Sequence, residues 1–105
     1  MRTLVAGYGG PGFVFLGYLP RKPGEIRRLL ATLADDPRPA VAFESPYRAR
    51  KSLGLIAEAL PDRQLTVARE LTKVHEQVVR GTATEVLAAL SDPARGEFTL
   101  VISGA

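Results

Sequence analysis

Two stretches of this chain end an apolar run in a cluster of charged side chains. They are Ala42-Phe43-Glu44-Ser45-Pro46-Tyr47-Arg48 and Ala68-Arg69-Glu70-Leu71-Thr72-Lys73-Val74-His75-Glu76. Such an end is where a strand stops and a cleft can begin, and two of them separated by one helix can face a shared ligand. Carboxylates placed there, Glu44, Glu70 and Glu76, can orient a hydroxyl or share its proton. Cations placed there, Arg48, Arg69, Lys73 and Arg80, can neutralise phosphate. Each residue also has a plainer reading: Glu44 as a solvated acid or a partner for Arg48, Glu70 and Glu76 as surface acids, and the lone His75 as structural. Arg69 resists it, because it alternates with Leu65, Val67 and Leu71 on one strand face, where an unmet charge is costly. The expectation is a carboxylate partner, Glu44 or Glu76.

The elements that must position these groups alternate between strands and helices. The run from Phe13 to Leu19, closed by Pro20, reads as a strand covered on both faces. Glu25 to Ala34 carries Ile26, Leu29, Leu30 and Leu33 at helical spacing, and Asp35-Asp36-Pro37-Arg38-Pro39 ends that helix. Ala40 to Phe43 is a short buried strand. Ser45-Pro46 then reads as a helix start, the serine hydroxyl capping free amides and proline occupying the first helical position. Leu53, Ile56, Ala57 and Leu60 supply that helix with its buried face, and Pro61-Asp62 stops it. Leu65 to Leu71 and Glu76 to Arg80 are strands close enough to pair antiparallel. Thr82-Ala83-Thr84-Glu85 is a capping box ahead of Val86, Leu87 and Leu90, and Phe98 to Ile102 is the last strand. The result is an α/β fold: a mixed five-stranded sheet flanked by about three helices. Gly7-Tyr8-Gly9-Gly10-Pro11-Gly12 matches the letters of a dinucleotide fingerprint, but a strand pattern follows where that fingerprint needs a helix. A flexible connection entering the first strand is the expected reading.

Composition narrows the class. With 105 residues the chain can bury one core and is too short for two ordinary domains. Lys and Arg outnumber Asp and Glu by 14 to 11, which permits a phosphate-rich partner without requiring one. No Cys and one His exclude a disulfide framework or a zinc cluster built within the chain. No apolar stretch approaches the ~20 residues of a membrane span, and no secretory signal is visible, so a cytoplasmic protein without membrane attachment is expected.

The two charged stretches, with Gly17-Tyr18-Leu19-Pro20-Arg21-Lys22 before them and Val79-Arg80-Gly81-Thr82 after, resemble the C-terminal half of the catalytic region of small-subunit ribosomal RNA cytidine 2′-O-methyltransferases. These belong to the tetrapyrrole-methylase superfamily. The match runs from about Phe13 to Ile102, and its motifs are specific in combination. The resemblance implies a C-terminal lobe over residues 13–105, with residues 1–12 as the remnant of a linker from an N-terminal cofactor-binding lobe that is absent. It implies S-adenosylmethionine between the lobes, bordered here by Phe43, Glu44, Ser45 and Ala68. It further implies Glu44, Glu70 and Glu76 as groups that orient the ribose or handle its proton, and Arg48, Arg69, Lys73 and Arg80 as contacts to the RNA backbone. No metal is needed, and the superfamily generally forms homodimers. The chain by itself is expected to be inactive. A methylase of the same superfamily acting on a tetrapyrrole or other small molecule, or a non-catalytic binding or dimerisation module, would share the fold.

Overall fold

The computed structural model describes residues 12–72, 74–90 and 96–105, without the side chain of Leu71. Most of the glycine-rich stretch ahead of the first strand, and Lys73, lie outside the described residues. Along the chain come β1 (Val14–Tyr18), α1 (Pro23–Leu33), β2 (Ala40–Glu44), α2 (Ala49–Ala59), β3 (Leu65–Thr72), β4 (His75–Gly81), α3 (Ala83–Ala89) and β5 (Phe98–Ile102). This is the expected order. The sheet runs β1-β2-β5-β3-β4, with β1 parallel to β2 and every other pair antiparallel. Strands β1, β2 and β3 therefore point the same way, and their carboxyl ends share one end of the sheet.

Residues opposed across paired strands show their side chains on one face. Three rows of this kind cross the sheet: Ala40, Ile102, Leu65 and Gly81; Ala42, Leu100, Val67 and Val79; Glu44, Phe98, Arg69 and Gln77. Their apolar members join Ile26, Leu30 and Leu33 of α1, Leu53 and Ile56 of α2, and Val86 of α3 in one core. The helices thus cover this face. The other face carries Val41, Val101, Thr66 and Arg80 in one row and Phe43, Thr99, Ala68 and Val78 in the next. No described helix lies on it. Val41 and Val101 are buried there, whereas Phe15, Tyr18 and Val78 are exposed.

Local chemistry accounts for the helix ends. Pro23 opens α1, where its missing N–H costs nothing. At α3 the capping box is complete: Glu85 N donates to Thr82 Oγ1 at 3.3 Å, and Thr82 N donates to Glu85 Oε1 at 2.8 Å. The Thr82 N–H, and after it the Thr82 side chain, hold the Glu85 carboxyl below its ordinary range. Arg63 closes the opposite end of the molecule, donating to the carbonyls of Leu33 and Ala34 at the end of α1, at 3.3 and 3.0 Å, and to that of Ser103 after β5, at 3.0 Å.

Two expectations need correction. β1 is an edge strand with one open side: Phe15 is 55% and Tyr18 58% exposed. An apolar run shows that something covers both faces, and here no described element covers one of them. Second, α2 starts at Ala49, three residues later than Ser45-Pro46 suggested, with Arg48 at its N-cap and no side-chain cap. Residues 45–48 instead form a turn closed by Arg48 N donating to Ser45 O at 3.1 Å.

Candidate functional site

The turn after β2 is built around a buried carboxylate. Glu44 is 0% exposed, so its charge has to be met by donors inside the protein. Oε1 accepts from Ser45 N at 2.8 Å and Arg48 Nε at 3.2 Å, and Oε2 accepts from Ser52 Oγ at 2.5 Å. Ser52 stands on the core stripe of α2 with Ala49, Leu53 and Ile56, which is why its hydroxyl reaches inward. The carboxylate draws the Ser45 amide and Arg48 to itself, and this explains why the chain turns before it coils. Ser45 Oγ is left buried without a hydrogen-bond partner among the described residues.

Arg69 occupies the same row. It is 3% exposed, lies over the Phe98 ring with its guanidinium carbon 5.5 Å from the centroid, and donates from Nε to Gln77 Oε1 at 2.8 Å. The expected ion pair with Glu44 or Glu76 is absent: the first is committed to Arg48 and the second is exposed on the other face. Among the described residues, the Phe98 ring and the Gln77 amide oxygen lie against the guanidinium. Burial also removes Arg69 from the residues that can touch an RNA backbone.

Glu44 and Glu70 share the carboxyl end of the sheet but not a face. Glu70 follows Arg69 and so points away from the helices, opposite Glu76. One cleft holding both carboxylates is therefore not what the strands build. On the helix-free face the structure brings together Phe43 and Ala68, in one row with Thr99 between them, and Glu70 with Glu76 beyond Ala68. Phe43 is gripped by two aromatic rings, Phe15 at 5.8 Å edge-on and Tyr18 at 5.6 Å tilted. The Tyr18 hydroxyl donates to Glu97, and that bond raises its pKa. Gly96 lies so close to Glu70 that a Cβ there would sit 1.6 Å from the Glu70 carbonyl oxygen, and its φ of +76° also demands glycine. A shallow cavity of about 220 Å³ is lined by Glu70, Thr72, Val74, His75 and Glu76. A second, of about 290 Å³, lies at the other end of the helices around Ala59 to Arg63, away from all these groups.

Arg80 is exposed on the helix-free face, and Arg48 stands at the strand end with its Nη groups without a partner among the described residues. Sequence reasoning missed Thr99, Ser52 and Gln77. Ser52 carried a signal, a hydroxyl at a core position of an amphipathic helix. Thr99 and Gln77 carried none, since their places depend on strand pairing. Among the described residues no group of three His, Asp or Glu side chains could hold a metal ion, and no helix is long and apolar enough to cross a membrane.

Comparison with known proteins gives a consistent set of relatives. A protein named ribosomal RNA small subunit methyltransferase I from Neisseria meningitidis serogroup A is 43% identical over 101 residues, covering 93% of this chain and 35% of its own length. The proteins of that name from Bacillus subtilis and Thermotoga maritima are each 41% identical, over 88% and 95% of this chain and 32% and 45% of their own lengths. The chain thus spans between about a third and under half of the curated relatives it matches. No family model matches. Among solved structures, that of the methyltransferase CobJ superposes with a TM-score of 0.58 at 19% identity, covering 96% of this chain and 46% of the other, which shows the shared α/β fold.

Proposed function

We propose, for a chain homologous to part of the ribosomal RNA small subunit methyltransferase I proteins, that it supplies one lobe of an S-adenosylmethionine-dependent enzyme. That enzyme methylates the ribose 2′-hydroxyl of a cytidine in small-subunit ribosomal RNA, in the cytoplasm and as a homodimer. Residues 13–105 form the lobe, and a second lobe from elsewhere in the assembled enzyme closes the cofactor cleft. The observation that carries this reading is the helix-free face, where Phe43, Thr99 and Ala68 lie in one row beside Glu70 and Glu76.

The residues suit the cofactor. Ser45 Oγ, buried and without a hydrogen-bond partner among the described residues, offers a hydrogen bond at the end of β2, and Phe43 and Ala68 offer apolar surface on the face that no described helix covers. Bound there, S-adenosylmethionine supplies an electrophilic methyl group on a sulfonium. Glu70 and Glu76 then orient the ribose or take its proton, a task for exposed carboxylates within reach of a substrate. Glu44 acts through the turn it holds, fixing Ser45 and Arg48 rather than meeting the substrate. Arg48, Lys73 and Arg80 contact phosphate.

A chimera tests the function. The Bacillus subtilis relative, carrying this chain in place of its matching segment, is expected to transfer labelled methyl from S-adenosylmethionine to small-subunit RNA. Nucleoside analysis should recover 2′-O-methylcytidine. Label on a base, or on a small tetrapyrrole in place of RNA, would contradict the reading.

A further inference from the structure

Tyr47 is 96% exposed, the most exposed of the large apolar and aromatic side chains among the described residues. A single exposed ring on a loose loop means little. This one sits on a turn held by the Arg48 N to Ser45 O bond and by the three donors that converge on buried Glu44. The ring is therefore displayed from a turn whose backbone is already fixed, which removes that part of the ordering cost on binding.

Its surroundings are cationic. β1 and β2 are parallel neighbours, and Leu19 N donates to Phe43 O at 3.1 Å, so the segment after β1 leaves the sheet beside the turn that carries Tyr47. That segment presents Arg21 and Lys22, both exposed and in no ion pair among the described residues. Arg48 follows Tyr47 directly with its Nη groups facing no described partner, and Lys51 is exposed in the first turn of α2. Beside the ends of β1 and β2 the acids among the described residues are Glu44, committed to Arg48; Glu97, which accepts from the Tyr18 hydroxyl; and Glu25, exposed in the first turn of α1, while Glu70 and Glu76 lie further along this end of the sheet, beyond β5. Beside β1 and β2, among the described residues, the four cations Arg21, Lys22, Arg48 and Lys51 outnumber the three acids.

We infer that Tyr47 is a base-stacking platform for single-stranded RNA, with Arg21, Lys22, Arg48 and Lys51 holding the flanking phosphates. This rests on the RNA-directed function proposed above and assigns a contact to it. An exposed aromatic among cations suits single strands, because any unpaired base offers a π-face. Duplex RNA is gripped through its minor groove and phosphates and gives a tyrosine ring nothing to stack on.

The test is titration of a short, mixed-sequence single-stranded RNA into the whole chain at several salt concentrations. Tyr47→Ala should weaken binding by about 5- to 150-fold, the span expected for one stacked base, and leave the salt dependence unchanged. Lys51→Ala should instead lower the salt slope by about one. Tyr47→Trp should keep the affinity, and because the chain has no tryptophan of its own, quenching of its indole fluorescence by RNA reports stacking at that position directly. Unchanged affinity in Tyr47→Ala, with the wild-type chain binding RNA, would overturn the stacking role while leaving the RNA function standing. Absence of salt-dependent RNA binding by the wild-type chain would overturn both.

Discussion

A carboxylate sealed from water survives only if donors take the place of its hydration, and Glu44 has one backbone and two side-chain donors. Ser52→Ala removes the donor on Oε2 and leaves that oxygen buried and unmet. We expect a loss of about 2 kcal/mol in stability, the range for hydrogen bonds to charged groups, measurable by urea unfolding. A change under about 0.5 kcal/mol would mean that water or a rearranged Arg48 takes over. Asp36 is a surface counterpart. Arg38 donates to it through its side chain and its backbone N–H, at 2.9 to 3.1 Å, and these bonds hold the Asp36 carboxyl down at about 2. Since the folded value is depressed, the pair's contribution is in place above the ordinary carboxyl range near ~3.9 and fades as pH falls through about 2. Carboxyl NMR titration should find that midpoint, and Arg38→Ala should return it upward. At this scale the sequence was half legible. It marked Glu44, and offered Arg48 as a partner, because a charge at the end of an apolar run stands out. It misassigned Arg69, because an aromatic ring and an amide brought opposite by strand pairing leave no mark in a linear pattern.

Among the elements, α3 is the clearest case of local sequence deciding local structure. Seven residues are too few to be helical by propensity alone, so its capping box and its buried Ala83 and Val86 must supply the stability. Thr82→Ala should cost about 1 kcal/mol in denaturant unfolding. Thr82→Ser should restore most of it, and equal losses in both variants would show that the threonine methyl, not the cap, is what counts. The same reasoning failed at α2. Ser45-Pro46 has the letters of a helix start, but Glu44 competes for the Ser45 amide and diverts the chain into a turn. That turn displays Tyr47 and seals in Ser45 Oγ, so the misread boundary lies in the candidate site. β1 failed for a different reason: periodicity reports that a strand is apolar on both sides and says nothing of what covers each side.

For the whole molecule, the decisive feature is a sheet with helices on one face and an aromatic cluster on the other. Phe15, Tyr18 and Phe43 present apolar surface, with Phe13 36% exposed beside them. Soluble monomers seldom leave such a patch uncovered when it exceeds a few hundred Å². We expect the chain to self-associate at micromolar concentration in sedimentation velocity, and Phe15→Ser to shift it toward monomer. A monomer at all concentrations would mean that the face is satisfied within one chain. The strand and helix order was legible in full because hydrophobic period and turn residues are local. The division of Glu44 and Glu70 between faces was not, because it follows from the register of β5 between β2 and β3.

If the helix-free face is half of a methyl-donor site, as proposed, a second lobe must complete it. Calorimetric titration of S-adenosylmethionine into the chain alone, and into the Bacillus subtilis chimera that contains it, tests this most directly. A half-site leaves the ligand largely in water, whereas good small-molecule sites bury most of it. The chimera should bind saturably at micromolar concentration, and the chain alone should show no binding at that level. Micromolar binding of defined stoichiometry by the isolated chain would contradict it.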